Sequence, residues 1–170
     1  MDDIAQECHL AKPTLYYYYP SKEAIFNDIV IDEAQRFIDG VEEKIPGELP
    51  ADIKMAFFFQ TFYKDLKKYL KETQTMPEFL YESYPHGKPI ILKINKLLKD
   101  KIRPLLMEGI TQKKFSIDNM ETTLNSILTI ISFLNIDWMR KPAEKARDEI
   151  VTTVIDIILN GIRRRKCYEK

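Results

Sequence analysis

The chain has 170 residues, 45% of them hydrophobic and 31% charged, with 26 Lys and Arg against 26 Asp and Glu. That length supports one sizeable core, and the balanced charge excludes a uniformly basic nucleic-acid coat or an acidic tail. Two cysteines, Cys8 and Cys167, are too few for a disulfide-built secreted domain. The start, with Asp2 and Asp3, lacks the basic-then-apolar pattern of an export signal. No apolar run reaches the roughly 18 residues of a membrane span; "SILTIISFLNIDWM" is cut by Ser132, Asn135 and Asp137. These features predict a soluble, cytoplasmic protein with no membrane partner.

Scarce glycine and apolar residues at helical spacing predict an all-α fold punctuated by proline. A short helix is expected over about Asp2 to Cys8, then a tight turn at His9-Leu10. A second short helix is expected from Lys12 to Tyr19, with Pro13 in its first turn, where a missing N–H costs little. Ile4, Ala5, Leu10 and Leu15 have the spacing to pack the two together. Ser21 should cap a long helix to about Ile45, with an apolar stripe that includes Ile29, Phe37, Ile38 and Val41. Further helices are expected over about Pro50 to Lys71, shortly after Pro77, and from Lys88 to Gln112, the last kinked or divided at Pro104. Asp118 with Glu121 three residues on has the form of a capping box for a helix reaching about Met139. The last helix runs from Ala143 to about Arg165. Its apolar residues cover more than half its circumference, which predicts burial from a second direction and a self-association surface. Leu124, Ile127, Leu128, Ile131, Ile150, Val154 and Ile158 are the candidate dimer-interface residues.

Two short helices joined by a tight turn have the layout of a helix-turn-helix, which sets the front of its second helix against base edges and flanking residues on phosphates. Lys12, Thr14, Tyr16, Tyr17 and Tyr18 are the polar or amphipathic candidates, and Lys22 is placed for a phosphate. Tyrosine suits a groove wall, because its ring covers thymine methyl and sugar while its hydroxyl reaches a phosphate.

"IAQECHLAKPTLYYYYPSKEAIFNDIV" resembles the tetracycline-repressor (TetR) family of bacterial regulators. The match is carried by Ile4, Ala5, Thr14, Leu15, Tyr16, Tyr18, Ser21 and Lys22. The resemblance implies an operator-binding homodimer whose carboxy-terminal domain holds a small-molecule effector and dimerises through its last helices. The family's DNA-contacting positions fall on Lys12, Pro13, Thr14, Tyr16, Tyr17, Tyr18 and Lys22. It also implies a partial helix-turn-helix domain over residues 1–28 and a ligand-binding and dimerisation domain over 29–170. Three departures stand out. His9 replaces a turn glycine that needs positive φ, Ala11 replaces a capping serine, and Tyr19 replaces a core phenylalanine. In the family, a further helix precedes the segment that "MDDIAQ" matches. The expectation is therefore a fragment or a shortened product. From Met1 to Asp28 there are two Lys against five acids, so this chain is expected to bind DNA poorly.

"MAFFFQTFYKDLKKYL" clusters aromatics on a helix that in this family walls the effector pocket. Phe58, Phe62, Tyr63, Phe79, Tyr84 and Trp138 are the ligand-pocket candidates, suited to an apolar or aromatic small molecule. His9, His86, Cys8 and Cys167 form no spaced pair, so neither a metal nor another cofactor is expected. Nothing resembles a nucleophile motif or phosphate loop, and no enzyme activity is expected. The alternative reading is a dimeric small-molecule sensor or partner-binding module without DNA activity.

Overall fold

The computed structural model describes residues 1–73, 87–133 and 144–163. They form helices α1 (Asp2–Glu7), α2 (Lys12–Tyr18), α3 (Lys22–Glu42), α4 (Ala51–Thr73), α5 (Gly87–Thr111), α6 (Met120–Phe133) and α7 (Glu144–Ile162). Their only pairing of strand type is an isolated antiparallel bridge between Phe115 and Arg163. The helix expected after Pro77 and the extension of α6 to Met139 lie outside the described residues.

Helices α1 and α2 pack on each other through buried Ala5 and Leu15. The turn between them needs a left-handed residue, and His9 supplies it at φ 53°. Leu10 N–H then closes the turn on the Ala5 carbonyl at 2.8 Å. The Leu10 side chain stays 43% exposed, contrary to the expectation that it joins the two helices. In so short a turn its backbone does the joining. No side chain caps α2, as the exchange of serine for Ala11 predicts, and Pro13 lies in its first turn.

Helix α3 begins as expected: Ser21 Oγ accepts the Ala24 N–H at 3.2 Å. Its 21 residues extend about 32 Å without a break. Only the carboxy-terminal half is deeply buried, through Ile38 and Val41, while Ile29 is 56% exposed. The apolar stripe therefore does not face one continuous core. Helix α5 lies against α3, α4 and α6, and α4 also lies against α7. Phe58, Met55, Ile102, Leu106 and Leu124 are fully buried between them. At about 25 cal/mol per Å² of apolar surface removed from water, side chains of this size dominate the stability of the bundle.

Polar clamps set the helices in register. Lys101 on α5 bonds Asp39 at 2.7 Å and Glu42 at 2.6 Å, both on α3. Lys54 on α4 bonds Glu108 at 2.8 Å, and Gln112 Oε1 accepts the first amide of α4, Ala51 N–H, at 2.9 Å. Helix α5 runs unbroken through Pro104 instead of dividing there. Pro104 is exposed, so the carbonyl it fails to bond can face water. After Thr111, Lys113 turns left-handed at φ 56°, and the amides of Lys114 and Phe115 return to the Gly109 carbonyl at 2.8 and 3.1 Å. Ser116 N–H then bonds the Ile162 carbonyl at 2.9 Å, tying this corner to the end of α7.

The capping box is displaced by one residue. Asn119 caps α6, its Oδ1 accepting the Thr122 N–H at 2.9 Å, and Asp118 does not. Glu121 is drawn away to Arg103 on α5, with Lys99 at 3.7 Å. A box centred on Asp118 would need Glu121 to reach backwards instead.

Candidate nucleic-acid interface

The short α2 presents Lys12, Pro13, Thr14, Tyr16, Tyr17 and Tyr18 to solvent, with exposed Lys22 opening α3 beside it. Tyr17 is 83% exposed and Tyr18 67%, far above what a structural tyrosine keeps. Their rings meet edge to face with centroids 5.2 Å apart, which limits their freedom without hiding them. Tyr16 is 44% exposed. Tyr19 is half-buried and closes the helix, its amide bonding the Leu15 carbonyl at 2.9 Å. One sequence run therefore yields three outward aromatics and one partly inward one. This follows from Leu15 being the buried anchor and from the chain leaving the helix at Tyr19.

Lys12 is not free on this surface. Its Nζ lies 2.7 Å from Asp2 Oδ1, across the turn. The hydrogen bond from Lys12 holds the Asp2 carboxyl below its ordinary range, and the same bond raises the Lys12 ammonium above its own. Sequence spacing gave no sign of this pair, because its register depends on the angle between α1 and α2.

The remaining candidates separate. Phe58 is part of the sealed core. Phe62 and Tyr63 are half-buried against it, and Phe79, Tyr84 and Trp138 lie outside the described residues. Phe37 on α3, expected from the sequence only as part of that helix's apolar stripe and not as a pocket candidate, meets Phe62 edge to face at 5.4 Å. Tyr63 Oη donates to Asp148 Oδ1 at 3.2 Å, and Lys67 Nζ lies 3.1 Å from the same atom, joining α4 to α7.

The dimer candidates need correction. Leu124, Ile127, Leu128 and Ile158 are buried within the single chain and are not free to meet a second one. Ile131 and Val154 are half-buried, and Ile150 is 40% exposed. Ile157, which was not among the candidates, is 62% exposed. No helix among the described residues is long and apolar enough to cross a membrane.

The arrangement is that of an all-α protein with an amino-terminal helix-turn-helix carried on a larger helical domain. Residues 1–29 match the family described as bacterial regulatory proteins, tetR family. The helix-turn-helix segment is thus similar to that family. The HTH-type transcriptional regulator EthR of Mycolicibacterium smegmatis is 31% identical over 67 residues, covering 36% of this chain and 31% of that relative. The match thus spans under a third of the curated relative. The fold resembles that of the transcriptional regulator FadR from Bacillus subtilis, solved in complex with stearoyl-CoA. The TM-score is 0.66 at 21% identity, covering 95% of this chain and 87% of that one. The fatty acid degradation regulator FadR from Bacillus halodurans has a TM-score of 0.65 at 22% identity, covering 96% and 86%.

Proposed function

We propose that the chain is a ligand-responsive, DNA-binding transcriptional regulator that acts as a homodimer in the cytoplasm. In this reading it is a repressor released from its operator by a small apolar or aromatic molecule, and it performs no catalysis. The observation that carries the reading is the outward set of Lys12, Thr14, Tyr16, Tyr17, Tyr18 and Lys22 at the head of an unbroken α3. That helix is fixed at its far end by Ile38, Val41 and the Lys101 clamp. An effector lodged beside Phe37 and Phe62 presses on the same helix that bears the DNA-reading unit. In a dimer, a small rotation there moves two recognition helices off the spacing of successive major grooves, about 34–36 Å. The stearoyl-CoA held by the Bacillus subtilis neighbour makes long acyl thioesters the first effectors to try.

The second reading, a sensor without DNA binding, is favoured by the two Lys against five acids in residues 1–28. One experiment separates the two. Duplexes are selected from a random pool on the purified chain, and affinity is measured by fluorescence anisotropy across a range of salt. The regulator reading expects a preferred sequence. Lys22→Ala should weaken every duplex alike and flatten the salt slope by about 0.9. Tyr17→Ala should weaken the selected site more than random DNA. Recovery of no preferred sequence supports the sensor instead.

A further inference from the structure

The segment that would face DNA has two cations among its first 28 residues, Lys12 and Lys22. Lys12 is already bonded to Asp2 at 2.7 Å, with both side chains more than half exposed. Asp3 and Glu7 stand exposed on the same short helix as Asp2. A phosphate approaching the start of α2 therefore meets an ammonium that has a carboxylate partner in hand. It must displace that carboxylate or accept it as a negative neighbour.

Building on the regulator reading above, we propose that Asp2 is an internal competitor for the Lys12 ammonium, holding down the DNA affinity of this unit. Lys12 then exchanges one anion for another on binding, and the gain is the difference between two ion pairs. Asp2 is a tuning residue; it touches DNA neither as donor nor as base reader. The opposite role is a structural brace, in which the pair holds α1 on α2 in the binding geometry. The two roles differ in sign. Removing a competitor tightens binding, whereas removing a brace weakens it.

The test uses the whole chain and a random-sequence duplex of about three helical turns, roughly 30 base pairs, by anisotropy at several KCl concentrations. Asp2→Asn should tighten binding about two- to five-fold for each protomer engaged, the range to which an exposed ion pair corresponds. The salt slope should become steeper by at most about 0.9. In a Lys12→Ala background the same substitution should give a clearly smaller gain. Asp3→Asn makes the same change of charge one residue away and should also give less. Binding that Asp2→Asn leaves unchanged or weakens overturns the competitor role alone. So does an equal gain in the Lys12→Ala background, which would mark a general field effect. Failure of every variant to bind DNA overturns the regulator reading, and the competitor role with it.

Discussion

Gly109 and Gly40 give opposite expectations for the same substitution. Both lie in the last turn of long helices, where their backbone is still helical and exchanging glycine for alanine stabilises by up to about 1 kcal/mol. A Cβ on Gly40 would have nothing within 4 Å. A Cβ on Gly109 would sit 2.0 Å from Cδ2 and 2.3 Å from Cε2 of Phe115. That ring is 2% exposed, and its backbone is pinned by the bonds that return to Gly109 and run on to Ile162. It must move by more than 1 Å to restore ordinary contact, which is about the size of the shifts that overpacking forces on cores, at roughly 1–3 kcal/mol. Set against the helix gain, Gly109→Ala should destabilise by about 1–2 kcal/mol and Gly40→Ala should stabilise by up to about 1. For a chain of this size that is a fall of roughly 2–8 °C for the first and a rise of a few degrees for the second. Urea and thermal unfolding followed by circular dichroism at 222 nm would measure both. A smaller ring-side residue, as in Gly109→Ala with Phe115→Leu, should relieve the overlap, so that the pair is less than additive. The reasoning is wrong if Gly109→Ala is as stable as Gly40→Ala.

Further expectations concern caps, clamps and assembly. Asn119→Ala should destabilise by about 1 kcal/mol in urea unfolding while Asp118→Ala costs little, the reverse of what a box at Asp118 requires. Ser21→Ala should cost a similar amount, read as faster amide exchange at the start of α3 before any change in the core. Hydrogen bonds, from Lys101 first and then from Gln35, hold the Asp39 carboxyl below its ordinary 3.8. A depressed carboxyl contributes stability above that value and loses it as the pH falls through the folded-state pKa. The stability gap between wild type and Lys101→Met should therefore be widest near neutrality and close as the pH drops below about 4; a gap constant to pH 3 would discount the clamp. Ile157→Glu should shift a homodimer toward monomer in analytical ultracentrifugation with little change in helicity. Leu124→Glu should instead lose the fold, because Leu124 is fully buried within the chain.

What could be read from the sequence divides along a physical line. The helix-turn-helix was legible because its determinants are local. A left-handed His9, a proline in the first turn of α2, a buried Leu15 and a capping Ser21 each act within a few residues. Displaced features depend on something distant. Asp118 and Asn119 are both competent caps, and Arg103, fifteen or more positions earlier in the chain, draws Glu121 out of the box. The tyrosines divided as expected because a single buried neighbour fixes which way a seven-residue helix faces.

The dimer candidates failed in part for a different reason. Periodicity reports that a face is apolar and says nothing of what covers it. Leu124, Ile127 and Leu128 on α6 have the same pattern that an interface would have, yet they are spent inside the chain. Exposed Ile157 and Ile150 are the apolar positions left over on α7 once that core is filled. The same logic governs α3. Its stripe looks continuous from Ile25 to Val41, but the bundle covers only the far half, leaving Ile29 at the surface. The near half is held by its own backbone bonds and the Ser21 cap, the far half by packing and the Lys101 clamp. A helix anchored at one end and bearing a small reading unit at the other transmits rotation rather than absorbing it. In the proposed reading, an effector beside Phe37 and Phe62 would act on α2 through the half of α3 that packing and the Lys101 clamp hold in place.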